Sequence, residues 1–127
     1  MKKIVLPCCL FFFMTGCVSN TQLYYWGNYT NARLNYVKTP SQKTRLAYQR
    51  ELLSIIDKSN EKNTPVPPGI YAELGKLKME DGLSNEATPL FIAEATLYPE
   101  SQTFLSTYLQ KPLTLPEKTP PEEHKTP

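Results

Sequence analysis

Residues 68–101 place two small residues and one large ring at intervals that few folds can accommodate. Ile70, Leu74 and Leu77 recur at helical spacing, and Ala87, Leu90, Phe91 and Ala95 do so again one turn of chain later. Pro67 opens the first stretch and Gly82 closes it. The spacing therefore predicts one helix over 67–81 and a second over 85–98, with Ser84 as its cap. A short connection makes such helices antiparallel neighbours. A close crossing needs small side chains, and Gly75 and Ala87 supply them. Phe91 fills the gap between the helices, while Pro99 stops the second helix and opens another. Pro89 is awkward in this scheme, because beyond the first turn it removes one helical hydrogen bond and predicts a bend or a late start.

The flanking segments carry the same period. Tyr25, Tyr29, Ala32 and Tyr36 predict a helix over 24–37, weakened by Gly27, which in turn admits a close neighbour. Thr39-Pro40-Ser41-Gln42 reads as a helix start, with Thr39 capping, Pro40 first in the helix and Gln42 reaching back. The helix that follows, 40–60, carries Leu46, Leu52, Leu53, Ile55 and Ile56; Asn60, Asn63, Pro65, Pro67 and Pro68 mark a connector. Phe104, Leu105, Tyr108 and Leu109 predict a last helix over 100–110. No segment of strand period competes. From Pro112 to Pro127 the chain is proline-rich and has almost nothing to bury, which predicts a disordered tail.

Leu74-Gly75, Ala87, Phe91 and Pro99, with Tyr71 where the family has its first aromatic, resemble the tetratricopeptide hairpin of about 34 residues. Two positions depart from that pattern: Lys78 stands for an aromatic and Glu94 for a small residue. An ordinary helical hairpin with a fortuitous Leu-Gly pair is the alternative. The resemblance implies an all-α fold of antiparallel, tetratricopeptide-like helical hairpins. One such unit cannot bury both faces. The 24–60 pair, at best a degenerate repeat, is expected on one side and the 100–110 helix on the other.

The N-terminus fixes compartment. Lys2 and Lys3, an apolar run from Ile4 to Met14, and Thr15-Gly16-Cys17 have the order of a secretory signal that ends at a lipid-bearing cysteine. The run is shorter than the roughly 20 apolar residues that span a bilayer. The expected organisation is a signal peptide over 1–16, a lipidated tether over 17–23, a helical domain over 24–111 and the tail over 112–127. Cys8 and Cys9 would leave with the signal and Cys17 would carry lipid, so no disulfide is expected. Val18-Ser19 lacks the aspartate of inner-membrane retention, which points to the outer membrane, facing the periplasm. Removal of Lys2 and Lys3 from a formal charge of +2 leaves a nearly neutral chain, unsuited to nucleic acid.

Chemistry is sparse. The one histidine, His124, lies in the tail, and the acidic pairs Glu80-Asp81 and Glu122-Glu123 read as solvated surface. No nucleophile–base pair, metal set, cofactor site or small-molecule substrate is expected, and hence no catalysis. Tyr24, Tyr25, Trp26 and Tyr29 admit two readings, an exposed platform for a partner or rings that complete a small core. Leu23-Tyr24-Tyr25-Trp26-Gly27-Asn28-Tyr29, followed by the hairpin and the proline-rich end, resembles a family of small bacterial lipoproteins that accompany a curli-secretion-type pore lipoprotein. That resemblance implies a role in envelope assembly or export. The expectation is a lipid-tethered scaffold that binds an envelope protein, with Tyr24, Trp26, Tyr29 and Tyr71 as contacts. A cell-wall glycan module is the alternative.

Overall fold

A computed structural model describes residues 22–109. The architecture is all-helical: α1 Tyr29–Lys38, α2 Gln42–Glu61, α3 Ile70–Glu80, α4 Ser84–Leu97, a 3-10 turn Pro99–Ser101, and α5 Gln102–Leu109. Each helix packs on its sequence neighbours, α1 on α2, α2 on α3, α3 most extensively on α4, and α4 on the turn and α5. Among the described residues no helix is long and apolar enough to cross a membrane. The expected lipid site Cys17, the signal segment and the tail with His124 lie outside the described residues.

The core has two parts. Tyr48, Leu52 and Ile55 of α2 meet Val66, Ile70, Leu74 and Leu77, with Tyr25, Tyr29, Ala32 and Tyr36 leaning on them. Ala87, Phe91 and Ala95 of α4 meet Leu105 of α5, supported by Ala72 and Met79 from α3. Each fully buried large apolar side chain contributes about 1.5–3 kcal/mol. The α3–α4 crossing depends on Gly75, because a Cβ there would stand 2.8 Å from Phe91 Cε1.

Helix starts differ from expectation in every helix; α5 begins at Gln102, after the 3-10 turn, rather than at residue 100. Residues 24–28 are not helical, so α1 starts at Tyr29 rather than at residue 24. Gly27 explains this: it turns the chain at φ 48, and its amide neighbour Asn28 donates to the Glu51 carboxylate. A side chain at Gly27 would strike Glu51. The cap of α2 is Ser41, not Thr39. Its hydroxyl accepts from Thr44 N at 3.2 Å while Thr44 Oγ1 accepts from Ser41 N at 3.0 Å. Thr44 thus does the reciprocal work assigned to Gln42, and Pro40 precedes the cap. α3 starts at Ile70 rather than Pro67, with Gly69 as its N-cap. Ser84 is inside α4, whose N-cap is Leu83. Gly82 at φ 77 lets Leu83 N return to Lys78 O at 2.9 Å, and the chain re-enters a helix at once. Pro89 is accommodated within α4 without ending it.

Candidate functional site

α3 is held at both ends by charge. At its N-terminus Glu94 of α4, 2% exposed, accepts from Gly69 N at 2.7 Å and from Ala72 N at 3.3 Å. A carboxylate there satisfies orphan amides and the positive helix end together. Burial pushes the Glu94 carboxyl above its ordinary range, against the opposing pull of these amides. At the C-terminus Arg45 of α2 donates to Glu80 Oε2 at 2.8 Å, Asp81 Oδ1 at 2.9 Å and Leu77 O at 2.7 Å. It also donates to the Tyr36 hydroxyl at 3.1 Å. The hydrogen bond from Gln49, and then Arg45, holds the Asp81 carboxyl below its ordinary value.

So fixed, α3 presents Glu73 and Lys76 between α1 and α5. These two residues line a depression of 210 Å³ with Arg33, Tyr36 and Val37 of α1 and Tyr48 of α2. They also line a second depression, of 150 Å³, with Phe91, Phe104, Leu105 and Tyr108. The odd-numbered helices therefore share one grooved face whose halves differ in chemistry.

The polar half is built around Glu73. Its Oε1 accepts from the Tyr29 hydroxyl at 2.7 Å and lies 3.8 Å from Arg33 Nε. Burial, then Glu73, pushes the Tyr29 hydroxyl up to about 12. Lys76 lies 3.9 Å from Glu80. Glu73 Oε2 and the Tyr48 hydroxyl are buried with no hydrogen-bond partner among the described residues. The apolar half carries Phe104, 67% exposed, stacked on Tyr108 at 6.3 Å, and Tyr108 meets Phe91 edge-on at 6.0 Å. Among the described residues no group of His, Cys, Asp and Glu converges as a metal site.

Of the expected contact residues, the structure brings three together. Tyr24 meets Trp26 edge-on at 6.4 Å, and Trp26 meets Tyr29 at 5.5 Å. The rings continue inward from Tyr29 to Tyr48 at 6.2 Å. The two readings of this cluster therefore divide it: Trp26 is 42% exposed, whereas Tyr25 and Tyr29 lean on the core. Tyr71 stands apart, in a depression with Asn60, Thr64, Pro65, Ala93 and Leu97. Leu74, Gly75, Ala87 and Phe91 are buried, and Pro99 opens the 3-10 turn.

Tyr48, Glu73, Phe104 and Tyr108 line the two depressions, and none of them is among the contact residues expected from the sequence. Phe104 and Tyr108, four apart on a terminal helix, were a usable signal. The two unpaired oxygens had none. Glu94 was visible as a departure from the repeat pattern, but its role as a cap on another helix was not.

Residues 23–108 match the model of a family described as a domain of unknown function, DUF4810. No curated protein and no solved structure matches.

Proposed function

We propose that this chain, which belongs to the DUF4810 family, is a lipid-anchored helical scaffold that holds another envelope protein in the groove of α1, α3 and α5. The observation that carries this reading is the groove itself. It combines exposed rings and aliphatic groups, including Phe104, Tyr108 and Val37, with a polar half lined by Glu73, Arg33 and Lys76. Such groups are favoured where a partner removes them from water. The Lys2-Lys3 to Cys17 pattern supports anchoring through acyl chains on Cys17, and Val18-Ser19 favours the outer membrane, facing the periplasm. Anchoring raises the local concentration of a partner without new contacts. The partner class we favour is a pore-forming lipoprotein of an export system, on the resemblance of residues 23–29 and the hairpin to companions of such proteins. No catalytic step belongs to this reading.

Affinity purification of the full chain from gently solubilised membranes tests it. We expect an envelope protein to co-purify in stoichiometric amount, and recovery of the chain alone refutes the scaffold role. Cys17→Ser should accumulate as precursor and lose labelling by fatty acid; normal processing of that variant refutes the anchor. A second reading, glycan binding, draws on the exposed ring of Trp26 beside Tyr24. Retention on purified sacculi would favour it.

A further inference from the structure

We infer that the segment Leu23–Trp26 lies on the phospholipid bilayer that holds the Cys17 acyl chains, with Leu23 and Trp26 entering its headgroup layer. This rests on the anchor at Cys17 proposed above and adds a second contact that orients the domain.

Chain length brings the segment to the bilayer. Leu23 follows Cys17 by six residues. Six residues reach at most about 22 Å when fully extended. Whatever path they take, Leu23 stays within that distance of the acyl chains. The polar layer on each side of the hydrocarbon is itself about 5–8 Å deep. A contact across so short a tie is intramolecular, so a modest burial of apolar area is enough to hold it.

The local fold leaves apolar groups in water at this point. Tyr25 leans on the core, and the Lys62 ammonium stands 4.3 Å over its ring. Its neighbours are not so covered: Leu23 is 64% exposed and Trp26 42%. The backbone that carries Trp26 is pinned. Trp26 O accepts from Tyr29 N at 3.1 Å, Gly27 turns the chain, and Asn28 N donates to the Glu51 carboxylate. The indole is thus held at the surface by bonds on both sides of the turn.

The residue types choose the occupant. Trp and Tyr are favoured at the headgroup level, where an apolar ring and a polar tip are both satisfied. Leu23 gains by reaching the acyl boundary beside them. A glycan could stack on Trp26 but would leave Leu23 in water, whereas a bilayer takes both. Charge contributes little, because Lys58 is paired with Glu61 at 2.7 Å and Glu51 is engaged by Asn28. The contact is therefore apolar and indifferent to salt. The recess beside Trp26 is formed with Glu51 and Ser54 of α2 and shares no lining residue with the two depressions of the groove. The bilayer and the groove's partner occupy different surfaces.

Trp26 is the only tryptophan in the chain, so its emission reports this segment alone. The test places the intact lipidated chain in vesicles of phosphatidylethanolamine and phosphatidylglycerol whose acyl chains carry bromine, a short-range quencher. We expect Trp26 emission to be quenched by the brominated lipid, shielded from iodide in the water and unchanged by high salt. Emission that iodide quenches and bromine does not overturns the proposal, and so does release of the bromine quenching by salt. Leu23→Ser, at an exposed position, should lower the contact equilibrium about tenfold, read as lost bromine quenching with an unchanged melt. Full quenching in that variant overturns the role of Leu23. Phe104→Ser, in the groove, should be quenched as wild type is, and a loss there would put the groove rather than this segment on the bilayer. The anchor and the contact fail separately. If the chain floats with the vesicles but bromine leaves Trp26 bright, the anchor stands and the contact falls. If the chain does not float, the anchor falls and the contact with it. Sacculi that shield Trp26 from iodide where the bilayer does not assign the segment to glycan and overturn the proposal.

Discussion

The two ends of α3 solve one electrostatic problem in different surroundings. At the N-terminus the partner is Glu94, 2% exposed and bonded to the amides of Gly69 and Ala72. At the C-terminus the partner is Arg45, whose side chain is 14% exposed and whose carboxylate partners are 37–39% exposed. Each charge has the sign that its helix end favours. They differ in what replaces them when lost: water reaches Glu80 and Asp81 readily, but not the amides under α4. They differ also in what they join. Glu94 ties α4 to α3 within one hairpin, and Arg45 ties α2 to α3 between hairpins. The buried contact holds the repeat-like unit together, and the more exposed one sets how two units stack.

Glu94→Ala should therefore be the most damaging change of the set. It strands two amides away from water, at about 1–3 kcal/mol each, and removes the favourable charge at the helix end. We expect a loss of about 3 kcal/mol in urea unfolding. Glu94→Gln keeps one acceptor and should lose about half as much. An equal loss for Arg45→Ala would erase the distinction between the ends.

Arg45→Ala should cost about 1–2 kcal/mol, since water takes over at the freed carboxylates while Leu77 O loses a charged donor. Arg45→Lys should recover little, because its single ammonium cannot reach Glu80, Asp81 and Leu77 O as a fork does. The two ends are about 16 Å apart at 1.5 Å per residue. Their losses should add to within about 0.5 kcal/mol in the double variant. A larger coupling would mean that α3 shifts as one rigid body when either end is freed.

The contrast also explains what could be read in advance. Helix count, pairing and the Gly75–Phe91 crossing follow from local period and residue size, and the all-helical fold was legible for that reason. Cap positions were less so, because residues 39–44 hold rival signals: Thr39 and Ser41 can each cap, and only the hydroxyl of Thr44 decides for Ser41. The start of α1 turned on Gly27, whose turn is enforced by Glu51, distant in sequence. Glu94 could be seen as anomalous in a repeat, yet its amide partners lie 25 and 22 positions away. The candidate groove was the least legible. Tyr48 lies in the core, and nothing local reveals that its hydroxyl has no hydrogen-bond partner among the described residues. The expected contact Tyr71 shares α3 with Glu73 but lines a different depression.

The finest distinction between the ends is their response to pH. The folded Glu94 carboxyl lies above its unfolded value, and its largest cause is burial. Between those two values the folded chain binds more protons than the unfolded chain, so stability falls as pH rises through that window. Asp81 lies below its unfolded value, held by Gln49 and Arg45. Its contribution is present above the ordinary carboxylate range, near 3.9, and is lost as pH falls through the depressed value. Acidification thus relieves one end of α3 and loosens the other, and stability should pass through a maximum at mildly acid pH. Urea midpoints across that range, compared between variants, separate the limbs. Glu94→Gln should flatten the upper limb alone, and Asp81→Asn the lower limb alone. The lower limb should be the shallower, since solvent screens Asp81. If Glu94→Gln leaves the upper limb unchanged, the buried carboxyl is not its source, and the charge at the N-terminal end of α3 matters less than its hydrogen bonds.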